Sequence, residues 1–384
     1  MDSPFIYDKY VTGKNFIGRR SECRILGNLL SQGEHVCIYE PPKSGKMSMI
    51  QQTLFDLRIK GQQFLVANLS LINVRHTATF LTRLGTVLLR SVASTPAEFA
   101  DLIDRHLAGT HFVFDGKSYA DADQVISLNW DIDQDDILAM LRLPWKLARE
   151  KGQPLFCILD EFQNLDQTED GERLYKALET VIAEQAQESR PGCSLVLCGS
   201  MVNAMKEIFE VRRFFYRQVD HFPIGTAEEK EIIEHVVRGF LSGGKVIERE
   251  LLLGMCRLFR NNLWYINHFV AICDAKSKGY IVEATLMEAL RTLISIHEPR
   301  FQSIVNNLTT FQLNLIKAIL DGHGKFSASG VIQQYDLNSS ANVKRVKDAL
   351  MKKEIITFND KDEPMFLDPL FAYWLRRYFF EMPD

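Results

Sequence analysis

One short stretch restricts what this 384-residue chain can fold into more than any other. The apolar run His35 to Tyr39 passes directly into Glu40-Pro41-Pro42-Lys43-Ser44-Gly45-Lys46-Met47, and a helical pattern follows over Met47 to Leu57. A buried strand that turns abruptly into a helix aims successive backbone N–H groups at one point, and the helix dipole makes that point attractive to anions. Gly45 suits the tight turn and Lys46 reaches toward β- and γ-phosphates; the next residue ordinarily offers a hydroxyl to Mg²⁺. Pro41 and Pro42 each remove only their own N–H, so donors from Ser44 onward suffice. The spacing predicts a phosphate-binding loop lined by Pro42, Lys43, Ser44, Gly45, Lys46, Met47 and Ser48.

Two positions depart from the usual pattern. Glu40 stands where the first glycine of such a loop is found, and a carboxylate there must point away from phosphate or repel it. Met47 stands where Ser or Thr should follow the lysine, and a thioether is a poor ligand for a hard ion such as Mg²⁺. Ser48 cannot simply substitute, because one helical step turns it about 100° away. Two readings follow: a nucleotide-holding loop with impaired metal binding, or a turn that only resembles one. In the second, Met47 joins Ile50, Leu54 and Leu57 on a buried helical stripe.

A second buried run, Leu155 to Leu159, ends in Asp160-Glu161. Two carboxylates at the C-terminal end of a buried strand stand where ligands bind in α/β sheets. Asp160 would hold Mg²⁺ through water, and Glu161 would orient or deprotonate an attacking water; the alternative is an ordinary solvated strand end. A third run, Ser194 to Cys198, leads to Gly199-Ser200. Ser200 reads either as a partner of γ-phosphate or attacking water, or as the N-cap of a helix starting near Val202. Arg212, Arg213 and Arg217 flank Phe214, Phe215 and Tyr216. One of these arginines would serve as a charge-stabilising finger, unless they form only a solvated face. With Phe64 to Leu69 as a fourth strand and helical stretches such as Ile137 to Arg149 between, the pattern predicts a parallel, doubly wound α/β sheet.

The rhythm breaks over about 101–135, which reads as an insertion. After Pro223 the composition turns helical; Thr226 and Glu229 have capping-box spacing, and no clear strand follows until about Asn307. From Leu308 three helices are expected, near Phe311 to Leu320, Ser329 to Tyr335 and Ala341 to Lys353. A strand at Ile355 to Phe358 then turns over 359–363 and returns through Met365 to Leu367. The expected divisions are a core over 1–225, a helical lid over 226–307 and a winged helix over 308–384. In the third helix of the last unit Val343, Val346 and Leu350 share a core face. Lys344, Arg345, Asp348 and Lys352 lie opposite, flanked by Lys347 and Lys353, a face suited to duplex DNA or to protein docking. The aromatic tail (Phe371, Tyr373, Trp374, Tyr378, Phe379, Phe380) reads as packing core.

Composition narrows the setting. Hydrophobic content of 46% and charged content of 24% are those of an ordinary globular chain. No apolar run approaches the roughly 20 residues that span a bilayer, and the N-terminus lacks the pattern of a secretory signal. Seven cysteines occur without a C-x-x-C pair, so zinc and redox sites are not expected, and a reducing, cytoplasmic setting is. A net charge of −4 argues against nucleic acid coating the whole surface but allows a local basic patch.

Taken in order, these motifs resemble the archaeal-type ATPases of the AAA+/STAND group of P-loop proteins, over nearly the whole chain. Phe16-Ile17-Gly18-Arg19-Arg20-Ser21-Glu22 is similar to that family's N-terminal box, which lies against the nucleotide. Glu40 to Met47 resembles its Walker A loop, Leu155 to Glu161 its Walker B strand and Leu195 to Ser200 its sensor-1 strand. Phe214-Phe215-Tyr216-Arg217 resembles a degraded Pro-Leu-Tyr-Gly-Arg segment. Asn261-Asn262-Leu263-Trp264-Tyr265 resembles a Gly-x-Pro-Trp-Tyr motif without its glycine and proline, and Asp368-Pro369 with Trp374-Leu375-Arg376 the family's C-terminal tail. The resemblance implies an AAA+ core with helical lid and winged helix, binding of ATP with Mg²⁺, and hydrolysis. It further implies nucleotide contacts from Gly18 and Arg19, metal binding at Asp160, and catalytic roles for Glu161, Ser200 and Arg217. The expectation is a nucleotide-controlled switch with slow ATP turnover; the alternative is a non-hydrolysing nucleotide- or DNA-binding scaffold.

Overall fold

The computed structural model describes residues 4–188, 192–359 and 361–383. Its contacts divide the chain into two compact units: Ser21–Glu40 with Thr53–Ile224, and Met1–Arg20 with Pro41–Gln52 and Gly225–Asp384. The backbone therefore passes between units at residue pairs 20/21, 40/41, 52/53 and 224/225.

The first of these units carries a parallel sheet. Its strands in chain order are β1 (Val36–Tyr39), β2 (Leu65–Ser70), the short pair β3 (Phe112–Phe114) and β4 (Ile126–Leu128), β5 (Leu155–Asp160), β6 (Cys193–Gly199) and β7 (Asp220–His221). The order across the sheet is β2-β5-β6-β1-β7, every pairing parallel. All residues of β1 and β6 are buried, as strands covered on both faces must be, which is why they read as unbroken apolar runs. The associated helices are α1 (Arg20–Gln32), α2 (Lys46–Ile59, shared between the units), α3 (Thr77–Arg90), α4 (Pro96–His106), α5 (Gly116–Ala122), α6 (Gln134–Lys151), α7 (Gly171–Gln185) and α8 (Val202–Lys206). The expected insertion is an ordered elaboration. β3 and β4 form an antiparallel pair bracketing α5, and Ile126 packs so tightly on α3 that a Cβ at Gly85 would lie 2.6 Å from its Cδ1.

The second unit is mainly helical: α9 (Glu229–Ser242), α10 (Arg249–Leu258), α11 (Leu263–Lys276) and α12 (Glu283–Asn306). Two sequence expectations fail here. α9 starts at Glu229 behind Glu228, with no side-chain cap, so Thr226 lies too far upstream to close the expected capping box. A two-residue parallel pair, β8 (Val246–Ile247) with β9 (Tyr280–Ile281), interrupts the helices; strands this short leave no periodic trace.

The C-terminal part of that unit is a winged helix. α13 (Thr310–Leu320), α14 (Ser329–Gln334) and α15 (Ser340–Lys352) precede the antiparallel hairpin of β10 (Ile356–Phe358) and β11 (Pro364–Phe366), and α16 (Pro369–Trp374) follows. Residue 360 of the expected turn lies outside the described residues. Val343, Val346 and Leu350 are buried and Lys344, Arg345, Asp348 and Lys352 lie on the more exposed side, so the face assignment from helical spacing holds. The aromatic tail divides: Phe371 and Trp374 are core, whereas Tyr378 and Phe379 are exposed. Within the described residues no helix is long and apolar enough to cross a membrane.

Candidate functional site

The loop after β1 takes its shape from two left-handed positions, Lys43 (φ +66°) and Gly45 (φ +91°). Glu40 is not among the positive-φ residues. Its amide donates to the Gly199 carbonyl at 3.3 Å and so extends the sheet, and no glycine is needed there. The left-handed backbone favours glycine at Gly45, and a Cβ there would also lie 2.8 Å from Arg19 Nη1 and push that guanidinium aside. That same guanidinium donates to the Ser44 carbonyl at 2.8 Å, so the N-terminal box clamps the loop from outside. Gly18 (φ +63°) has no room for a side chain either, since a Cβ there would meet Glu231 Oε2 at 2.8 Å and Ala227 at 3.0 Å. Lys46 is buried, 7% exposed, and its ammonium donates to the Pro41 carbonyl at 3.1 Å. The first amides of α2, from Lys46 onward, open the helix and have no partner inside it by construction.

The Ser44 hydroxyl is buried without a hydrogen-bond partner. A buried orphan donor at the mouth of a helix N-terminus, beside a buried lysine, suits a phosphate oxygen. The metal side of the loop is weaker. Met47 is half-buried rather than part of the fully buried stripe of Ile50, Leu54 and Leu57. Ser48 Oγ accepts the Val11 amide at 3.2 Å, and Gln52 Oε1 accepts the Gly13 amide at 2.6 Å. Ser48 thus anchors the N-terminal segment. Lys43 turns the other way, with its ammonium 3.3 Å from the centroid of the Trp264 ring. Burial pushes its pKa down to about 8, Arg300 adds to this and Asp368 opposes it.

In the sheet unit, the parallel register brings the ends of β1, β6 and β5 to one edge: Tyr39 lies beside Gly199, and Asp160 beside Ser70. Glu161, just past β5, is left-handed (φ +59°), an uncommon conformation for a residue with a side chain. Its Oε2 accepts the Ser200 hydroxyl at 2.7 Å and the Gln163 amide at 2.6 Å, with the Ser200 N–H farther off at 3.4 Å. Ser200 thus joins Glu161. Met201 is the N-cap of α8, so the capping alternative for Ser200 is not realised. Arg217 is exposed, with its guanidinium 5.2 Å from the ring of the equally exposed Tyr216. Phe215 is buried against Phe162, Tyr175 and Phe209, and Arg212 pairs with Asp166.

Sequence reasoning missed Gln163, whose amide nitrogen is two residues beyond the glutamate it holds. It also missed the group around Trp264: Tyr7 stacked on His268 at 4.2 Å, and His268 and His297 with ring centroids 5.7 Å apart. The i, i+4 spacing of Trp264 and His268 on α11 was the only available signal.

Comparison with known proteins fits this architecture. A family described as a probable winged helix domain matches residues 299–377. No curated protein matches the chain. Among solved structures, the chain is similar to the Walker-type ATPase of Pyrococcus abyssi, at 14% identity and TM-score 0.66, covering 97% of this chain and 99% of that one. It is similar also to the ORC2 protein of Aeropyrum pernix in its ADPNP–ADP complexes, at 14% identity and TM-score 0.56, covering 93% of each chain. The ADP form of that protein matches at 13% identity and TM-score 0.52, covering 95% and 93%. At such identities the likeness concerns the fold. The chain shares the α/β fold of these structures and carries a C-terminal winged helix.

Proposed function

We propose that this chain binds ATP with Mg²⁺, hydrolyses it slowly, and uses the nucleotide state to control its winged helix. The observation that carries the reading is the loop itself: a buried lysine, an orphan Ser44 hydroxyl and a glycine locked by Arg19 at a helix N-terminus. The Aeropyrum pernix ORC2 protein, which shares the fold, is described with ADPNP and ADP. In this reading the domains run 1–225, 226–307 and 308–384, and Lys46 leaves the Pro41 carbonyl for phosphate while the Ser44 hydroxyl and the amides of Gly45 to Ser48 supply donors. Asp160 would hold Mg²⁺ through water, and the ion would offset charge developing on the phosphates. With Oε2 of Glu161 fixed by Ser200 and Gln163, Oε1 takes no hydrogen bond among the described residues and is the oxygen that accepts a proton from water. Arg217, at the surface, would act on a site outside its own surroundings. The setting is cytoplasmic.

Calorimetry tests the reading. The wild-type chain should release heat with ATP and Mg²⁺, and Lys46→Ala should weaken binding about tenfold or more, the scale of one lost charge-assisted hydrogen bond. Equal heats from the two proteins overturn it. A second reading, a nucleotide-binding scaffold without turnover, is favoured by the loss of both hydroxyls next to Lys46: Met47 has none, and that of Ser48 is engaged with Val11. Phosphate release equal in wild type and Glu161→Gln selects that alternative.

A further inference from the structure

Within the helical unit, His268 on α11 and His297 on α12 are each 8% exposed. Their rings meet nearly at right angles, 81°, and Trp264 lies edge-on to both, at 5.2 and 5.6 Å. Nδ1 of His268 and Nε2 of His297 are buried and make no hydrogen bond. An apolar side chain would fill either position without that penalty, so packing does not account for two imidazoles.

The electrostatics around them are one-sided. His297 is held neutral by burial first, then by Lys43 and Arg300, and its pKa falls to about 4. His268 is lowered by burial and by Lys43. Asp368 opposes these charges, but its carboxylate is already engaged: it accepts from the Tyr265 hydroxyl at 2.9 Å, from Arg300, and from the Leu370 and Phe371 amides that open α16. A neutral imidazole nitrogen can carry a proton and donate it. In the tautomers that put the proton on these nitrogens, the two rings and the Lys43 ammonium make a cluster of donors short of an acceptor.

We propose that Lys43, His268 and His297 form a phosphoryl-binding subsite, taking either the terminal phosphate of a nucleotide on the loop or free inorganic phosphate. The nucleotide source rests on the proposed function, because Lys43 belongs to the same loop as Lys46. Without an anion, the Trp264 ring receives the Lys43 ammonium as a cation–π partner. Phosphate draws the ammonium off that ring and gives each orphan nitrogen an oxygen to bond. Trp264 is followed by Tyr265, which is bonded to Asp368 at the start of α16, so the exchange happens one residue from the winged helix.

The test follows the imidazole ¹⁵N resonances of the full chain, assigned with His268→Gln and His297→Gln, against ATPγS, ADP and inorganic phosphate. ATPγS should move both rings and raise their apparent pKa toward the ordinary value, and ADP should not. A response to millimolar inorganic phosphate without nucleotide assigns the subsite to the free anion. The His268→Gln/His297→Gln double variant should lose about tenfold more affinity for ATPγS than for ADP. ATPγS binding with full calorimetric heat while both rings stay unmoved overturns the subsite and leaves the nucleotide reading standing. No heat and no shift with any of the three probes overturns both.

Discussion

Met47 brings a thioether to the position where a hydroxyl would complete the coordination of Mg²⁺, and the structure closes off the obvious substitute. Ser48 is bound to Val11, so recruiting it would release the N-terminal segment. If the loop takes Mg²⁺ as proposed, water would fill the remaining ligand position, which Mg²⁺ tolerates because it commonly keeps several waters. The expected result is slow turnover limited by metal affinity. Met47→Thr should raise ATP turnover about tenfold and lower the Mg²⁺ concentration needed for half-maximal rate, the scale on which metal sites respond to single ligand-shell changes. Steady-state phosphate release against Mg²⁺ concentration measures this, and an unchanged Mg²⁺ dependence would show that the missing hydroxyl is not what limits the proposed turnover. Glu40, the other departure, has no left-handed backbone that would call for glycine; those positions fall at Lys43 and Gly45.

Among elements, α15 divides cleanly into a buried face and a charged one, but its charges are not equivalent. Lys347 pairs with Asp362 and lies 3.6 Å from the Phe358 ring centroid. Arg345 donates to Asn342 and Lys353 to the Asn307 carbonyl. Lys344 and Lys352 have no partner among the described residues, and they are the two side chains able to meet phosphate at no internal cost. Lys344→Glu with Lys352→Glu should abolish any duplex DNA binding by this face. A gel shift that keeps the wild-type affinity and salt slope would exclude α15 as the contact. Legibility also varied by element. β1, β5 and β6 were readable because strands buried on both faces are continuous apolar runs; β8 and β9 were not, having two residues each. The Gly-Lys and Asp-Glu pairs stand out in the sequence because each is contiguous. The Trp264 group escaped because Tyr7, Lys43, His268 and His297 come from four distant segments, and only folding makes them neighbours.

For the molecule as a whole, three histidines are folded into places that exclude the proton. His35, His235 and His297 all have pKa values pushed down to about 4, in each case chiefly by burial. The neutral His35 ring also accepts the Leu195 amide at Nδ1, at 3.0 Å. Between about pH 6.5 and 4 the unfolded chain binds protons that the native chain refuses. Stability is therefore full above the ordinary histidine pKa and falls as pH drops through that window, by up to about 1.4 kcal/mol per pH unit for each ring. Denaturant midpoints should be clearly lower at pH 5 than at pH 7.5, and His35→Phe should reduce the difference. A midpoint that does not move between those two pH values would mean the rings are not excluded from protons as described.

The four passages of the backbone between the units carry a consequence for anyone dissecting the chain. A cut near residue 225, the proposed end of the core, would part Met1–Arg20 and Pro41–Gln52 from the residues they are grouped with. The upstream fragment would retain Met1–Arg20 and Pro41–Gln52 without the helices they pack with, and the downstream fragment would lack the Phe5 side chain that fills the space beside Gly239 and Phe240. Each half would expose the surface that its missing residues cover, and co-expression of the two as complementing fragments would be the way to recover either.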